Sequence, residues 1–409
     1  MAGKALHVLS QRPSLTGSGI TLDSIVDIAR EAGWDQHAIV GSPVSSPSPD
    51  AGGLPRSSIS PLLFDSAPLN FPIPGMSDVM PYPSTRFSSM SETQLKLYVD
   101  SWQRHLEEVI DHFKPNIIHS HHIWLLSSII KDVAPHTPVI THCHATGLRQ
   151  MTLCPHLADR VTRGCSRNEQ FAVLHSEHAE KLAKVLHVPA HRIHIVGVGY
   201  DERVFHAQQR SDARNRNIIY AGKFSHAKGL PWLLDAVKNL TRKHSDLTLH
   251  VAGSGAGPQS EDLRERMISM SPTVVLHGQL TQAALADLMR RCKICVLPSF
   301  HEGLPLALVE AFACGCRIVS TRLPGVEDGL APSLGTALDL VSMPGLIDAD
   351  IPLEQDIPAF VEELTDTLDM ALNAPPVDTA AAALRKSLAP FTWRAVFERV
   401  ERVWKSAIG

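Results

Sequence analysis

Two acids, Glu302 and Glu310, are separated by seven intervening residues in Phe300-His301-Glu302-Gly303-Leu304-Pro305-Leu306-Ala307-Leu308-Val309-Glu310. Pro305 suits the first turn of a helix, where its missing N–H costs nothing and its φ is already helical. That reading puts Glu302 in the loop feeding the helix and Glu310 inside it. Eight helical steps would separate the carboxylates by roughly 12 Å. The paired acids of a glycoside hydrolase work about 5–9.5 Å apart, so this spacing suits two acids gripping opposite ends of one extended polar ligand. The amides from Gly303 through Leu304 to Leu306 would open the positive end of the helix dipole between them, a seat for a phosphate. An ordinary loop and helix with two surface acids is the plain alternative.

Glycines and histidines supply the other candidate chemistry. Thr16-Gly17-Ser18-Gly19-Ile20-Thr21 lies between an expected strand and helix, where glycines let backbone approach a phosphate closely. It is not a dinucleotide fingerprint, because Leu22 replaces the third glycine, and no Gly-Lys-Ser/Thr makes it a P-loop. Two histidine clusters, His119-Ser120-His121-His122 and His142-Cys143-His144, each end an expected parallel strand, where open α/β sheets bind ligands. With Cys154, His156 and Cys165 they could instead hold a metal. Strand alternation argues against that, since His142 and His144 share a face from which Cys143 points away. Cys292-x2-Cys295 is a metal half-site without a second pair at zinc spacing, so no metal site is expected.

These residues need a scaffold of two domains, the default at 409 residues. Strands are expected at Leu6–Ser10, His37–Gly41, Asn116–Ser120, Pro138–Cys143, Phe171–Ser176 and Ile193–Gly197, alternating with helices in a parallel, doubly wound α/β sheet. Ten of the 29 prolines fall between Gly41 and Glu92 among many serines. That composition predicts an irregular insertion at 42–91 within an N-terminal domain at 1–198. A polar stretch at 199–217 reads as a hinge. Strands near Ile218–Ala221, Leu247–Ala252, Val274–His277, Ile294–Leu297 and Arg317–Ser320 then give a second domain at 218–390. An amphipathic helix, Phe391–Ala407, falls in the closing segment 391–409. A net charge of −4 gives no reason to expect nucleic acid. No apolar run approaches the ~20 residues that span a bilayer, and no signal-peptide core is evident. Seven cysteines in no regular framework suit a reducing cytoplasm.

The E-x7-E segment, its approach Cys292-Lys293-Ile294-Cys295-Val296-Leu297-Pro298-Ser299 and the following Arg317-Ile318-Val319-Ser320-Thr321 closely resemble the signature of the retaining glycosyltransferases of family 4. Ile219-Tyr220-Ala221-Gly222-Lys223-Phe224-Ser225-His226-Ala227-Lys228-Gly229 resembles the family's basic pair, with Lys223 where arginine is commoner. The Gly17–Gly19 turn resembles the one placed beside the donor diphosphate. His144 matches a family histidine near the reacting sugar and acceptor.

The resemblance implies a GT-B fold, two Rossmann-like domains facing a cleft, with the last helix crossing back onto the N-terminal domain. It implies a nucleotide-sugar donor, expected to be a UDP-sugar, and no separate cofactor. Lys223 and Lys228 would replace a divalent metal at the leaving diphosphate, Glu302 would hold donor hydroxyls and Glu310 the ribose. Same-face displacement through an oxocarbenium-like transition state would retain the anomeric configuration. For the acceptor, His122, His144 and Arg149, with Arg86 from the insertion, point to a small, polar, anionic molecule. A nucleotide-sugar epimerase and a transferase acting on a glycan or lipid at the membrane surface stay open as alternatives, as does peripheral membrane contact.

Overall fold

The computed structural model describes residues 3–77, 80–207, 216–255, 257–348, 350–377 and 381–409. Of the expected hinge, residues 208–215 lie outside that set. The chain forms two compact units, Met1–Val198 with Trp393–Gly409, and Gly199–Thr392.

The first unit is built on a seven-stranded parallel sheet in the order Ile59–Phe64, Asp35–Pro43, Lys4–Leu9, Ile117–His121, Val139–His142, Gln170–Val173, Ile193–Ile195. Near-continuous apolar runs such as Ala5–Leu9 are buried because helices cover both faces. The first strand leads into the helix Gly17–Glu31, whose N-cap Thr16 accepts the Gly19 N–H at 3.2 Å.

Most of 42–91 is irregular, as the sequence suggests, but the segment also carries a strand that its composition hides. Ile59–Phe64 is a strand paired in parallel with Asp35–Pro43, Ala38 opposite Ile59 and Pro43 opposite Phe64. Pro61 sits inside it, which an edge strand tolerates because its outer side needs no ladder donor. Phe64 is fully buried against Phe71, Tyr98 and Trp102, with ring centroids 6.1–6.2 Å away. Asp23 accepts the Gly52 N–H at 3.0 Å, and Arg30 donates to the Gly52 and Gly53 carbonyls. Proline and serine hid a segment that aromatic packing orders.

The last helix, Trp393–Ile408, belongs to this first unit. Trp404 is fully buried, its ring 5.0 Å from Trp34, 5.7 Å from His7 and 5.5 Å from His119. Glu401 accepts the Trp34 indole N–H at 3.0 Å. The expected start at Phe391 falls instead in a short 3-10 turn, Ala389–Phe391.

The second unit carries a six-stranded parallel sheet in the order Val274–Gly278, Thr248–Ala252, Asn217–Ala221, Ile294–Leu297, Arg317–Thr321, Leu338–Val341. Its outermost strand, Leu338–Val341, and the helix Ile357–Asn373 were not read from the sequence. In each unit the strand order reverses beside the unit's first strand, and that reversal opens a crevice at the strands' carboxyl ends. The loops reaching those crevices carry the chemistry-bearing residues.

Candidate functional site

In the second unit the crevice lies between the loops that follow Asn217–Ala221 and Ile294–Leu297. The first loop runs through Lys223, whose carbonyl accepts the Tyr220 hydroxyl at 2.6 Å, to a short 3-10 turn His226–Lys228. Gly229 then takes φ +69°, and a Cβ there would lie 1.9 Å from the Pro298 carbonyl oxygen. Only glycine lets the loops approach so closely. The Phe300 N–H donates to the Ala227 carbonyl at 2.9 Å and ties the loops together. Lys228 and Glu302, 74 residues apart, meet in consequence: Nζ donates to Oε1 at 2.5 Å. Their side chains keep only 23% and 13% of their surface in solvent, so the pair is weakly screened.

Pro305 is the N-cap residue of the helix Leu306–Ala313, one step before the first turn where the sequence placed it. Half of the chain from Glu302 to Glu310 is therefore loop, and the all-helical spacing does not apply. Having no N–H, Pro305 interrupts the row of amides, so Gly303 and Leu304 offer donors before it and Leu306 after it. Leu304 and Pro305 are buried, while Gly303 and Leu306 are half-buried. Glu310 lies inside the helix, only 7% exposed, and burial raises its carboxyl group from the usual range to about 7. At neutral pH this acid is divided between its two forms.

In the first unit four imidazoles stand on three adjacent strands, and a fifth, His144, lies just past the end of one of them. Register places His7 opposite His119 and His121 opposite His142. His121 and His144 rings lie 5.2 Å apart and 11° from parallel, with Nδ1 of His121 2.9 Å from Nε2 of His144. His142 stacks on His144 at 4.4 Å and 8°. Burial keeps the cluster neutral: His7 falls to about 4 and His142 to about 3, while His119, His121 and His144 sit well below the ordinary value. His144 is half-buried, two residues past the end of the strand Val139–His142. The next residue, Ala145, has φ 64° and ψ −43°, and the Thr146 N–H donates to the His144 carbonyl at 2.7 Å. This strained γ-turn starts the helix Thr146–Leu153 and fixes where His144 is presented.

Among the described residues, one ring nitrogen from each of His7, His119 and His121, and of His121, His142 and His144, falls within 4.8 Å of the others. An ion must lie near the plane of every ring it binds. The second triad's planes are within 11° of parallel and stacked, and His119 and His121 are 12° apart at 4.9 Å. These rings would have to turn before either triad could hold a metal.

The other sequence candidates separate. His122 is 2% exposed, with Nε2 3.0 Å from Gln11 Oε1 and Nδ1 3.1 Å from Thr146 Oγ1, so both nitrogens are already engaged. It braces two strand-end loops, and its assignment to the acceptor is not favoured by this geometry. Gln11, which also accepts from Ser18 at 3.3 Å, was missed by the sequence reading. Gly19 is needed for packing, since a Cβ there would meet the Ser14 nitrogen at 2.6 Å. Gly17 has open space about its Cβ position, and helix geometry leaves the Gly17 and Ser18 amides without intrahelical acceptors. Arg149 is half-buried on the helix after His144, and Arg86 is exposed in the short strand Thr85–Arg86. No helix of the described residues is long and apolar enough to cross a membrane.

Comparison with known proteins agrees with this geometry. Residues 215–341 match the family glycosyl transferases group 1, and residues 16–199 match the glycosyl transferase 4-like domain. The chain is 28% identical over 224 residues to the MMP alpha-(1->4)-mannosyltransferase of Mycolicibacterium hassiacum, covering 54% of this chain and 50% of that one. It is 23% identical over 322 residues to D-inositol 3-phosphate glycosyltransferase 1 of Catenulispora acidiphila, covering 72% of each. The alignment to the mannosyltransferase thus spans half of that relative's length. Among solved structures, sucrose-phosphate synthase of Thermosynechococcus elongatus superposes with a TM-score of 0.69 at 14% identity, covering 98% of both chains. Anabaena HepE in complex with UDP and glucose superposes with a TM-score of 0.68 at 15% identity, covering 98% of this chain and 99% of that one. Two parallel-sheet units, with basic and acidic residues gathered at their strand ends, are matched over both halves by these domains, and the chain belongs to the GT-B glycosyltransferases.

Proposed function

We propose that this enzyme transfers a sugar from a UDP-sugar to a small, polar, anionic acceptor, retaining the anomeric configuration and using no divalent metal. The observation that carries the donor half is the half-buried meeting of Lys228 and Glu302 at a strand-order reversal, beside the helix that buries Glu310. A diphosphate entering the crevice competes with Glu302 for the Lys228 ammonium. Its arrival frees the Glu302 carboxylate to accept sugar hydroxyls, so one ligand satisfies both halves of the pair. Lys223 adds positive charge from the same loop. Glu310, once ionised, accepts the two ribose hydroxyls.

As the bond from the anomeric carbon to the β-phosphate oxygen breaks, negative charge grows on that phosphate. Lys228 and Lys223 stabilise it in place, a preorganised contribution of about 3–4 kcal/mol per key donor. The acceptor oxygen bonds to the anomeric carbon on the face the phosphate leaves, and the acceptor proton passes to a phosphate oxygen. His144 stands at the carboxyl end of the first unit's sheet, where it can hold a sugar hydroxyl or the acceptor. The acceptor's anionic character is supported by Arg149, half-buried on the helix after His144, and by relatives named for inositol 3-phosphate.

The test is product analysis after incubation with a panel of UDP- and GDP-sugars and cell metabolites. UDP release that requires an acceptor, with the sugar found on an anionic small molecule, is expected. Release of an epimerised UDP-sugar without acceptor would replace this reading with an epimerase.

A further inference from the structure

His121 has no part in the reading above, yet among the described residues it is the hydrogen-bond partner of the His144 ring. The contact joins His121 Nδ1 to His144 Nε2 at 2.9 Å, between rings whose planes lie 11° from parallel. Both rings are neutral at physiological pH because burial disfavours imidazolium. One proton therefore sits between the two nitrogens, and the question is which ring owns it.

The other nitrogen of His121 decides. His121 is 1% exposed, and its Nε2 is buried with no hydrogen-bond partner among the described residues. If His144 donated to His121, the His121 proton would have to reside on Nε2 as a buried N–H with no acceptor. If His121 donates, Nε2 carries only a lone pair. A buried orphan donor is the rarer and costlier of the two defects. His121 therefore keeps its proton on Nδ1 and donates to His144, and neutral His144 must carry its own proton on Nδ1.

We infer that His121 is a positioning residue: it locks His144 as the Nδ1–H tautomer, so that His144 meets its ligand as a hydrogen-bond donor and not as a base. The γ-turn at Ala145 supports the same end, since it fixes the backbone from which the His144 ring projects. A donor here suits a sugar hydroxyl oxygen or an acceptor oxyanion. It does not suit removal of the acceptor's proton, which the proposed same-face displacement assigns to the departing phosphate. The chemical use rests on the transferase reading, whereas the tautomer does not.

The experiment has two independent readouts. Long-range 15N–1H spectra of histidine-labelled protein, with His144 assigned by its loss in His144→Ala, report which ring nitrogen is protonated. Protonated Nδ1 and bare Nε2 are expected for wild type at pH 7. Kinetics then compare His121→Asn, whose amide nitrogen can replace the Nδ1 donor, with His121→Leu, which cannot donate. We expect His121→Leu to lower kcat by about tenfold to a hundredfold, as loss of an orienting partner does elsewhere, with donor KM little changed. His121→Asn should recover most of that loss. A His144 protonated on Nε2 overturns the inference, and so does His121→Asn falling as far as His121→Leu. If wild type transfers no sugar, the functional reading fails while the spectrum still decides the tautomer.

Discussion

If Glu310 meets the donor ribose as proposed, donor binding should depend on pH in a calculable way. Its carboxyl group titrates at about 7 in the empty site because it is buried. Ribose hydroxyls donate hydrogen bonds, so they favour the carboxylate. Binding should therefore select the ionised form and release a proton wherever that form is not already populated. With a value of about 7, about 9% of the enzyme is ionised at pH 6 and about 90% at pH 8. UDP should bind about tenfold more weakly at pH 6 than at pH 8, about 1.4 kcal/mol. Because UDP itself gains a proton near pH ~6, the informative quantity is the ratio of wild type to Glu310→Gln, in which the ligand's titration cancels.

Calorimetry in buffers of differing ionisation enthalpy should show about half a proton released at pH 7, with none released by Glu310→Gln beyond the ligand's own. The sign can be checked against stability. A carboxyl group raised above its usual value of 4.5 favours the fold below pH 4.5 and loses that contribution as pH climbs through 7. Unliganded Glu310→Gln should thus be more stable than wild type at pH 8, by about 3 kcal/mol at most. UDP affinity parallel in wild type and Glu310→Gln from pH 6 to 8 would refute both the burial argument and the ribose role.

Lys228→Ala should cut turnover by about 10²–10³-fold while leaving the fold intact, because it removes charge from the leaving phosphate; steady-state kinetics with a thermal melt as control decide it. Turnover should persist in EDTA, and its full loss with recovery on adding manganese would show that a metal, not Lys228 and Lys223, neutralises the diphosphate. Proton NMR of the product should show the donor's anomeric configuration; inversion would exclude same-face displacement. Acid should weaken the first unit, since neutral burial of His7, His122 and His142, at about 4, 3 and 3 against 6.5, stabilises the fold above pH 6.5 and is lost below it. At pH 5 that is about 2 kcal/mol for each of them, readable as a falling Tm that His142→Phe should blunt.

What the sequence made legible follows from how far apart the deciding residues stand. Strands such as Ile294–Leu297 could be read because a parallel strand buried on both faces writes itself as a short apolar run. The loop positions of Lys223 and Glu302 could be read because each loop follows its strand, Asn217–Ala221 and Ile294–Leu297. Non-local pairings could not. Nothing local to Pro61 reveals that its strand is an edge strand backed by Trp102, and nothing local to Lys228 names Glu302 as its partner.

The histidines show the same division within four residues. Local pattern treats His119, His121 and His122 as one cluster, and the sequence reading took His122 as the ligand-facing member. His122 is instead consumed by Gln11, 111 residues earlier, and by Thr146. His121 was passed over, although alternation puts it on the face that register then sets beside His142 and His144. Period-two alternation, carried one strand further with the strand order in hand, would have placed His121 beside His144. The missing information was therefore which strand lies next to which, a property of the folded sheet that no single segment holds.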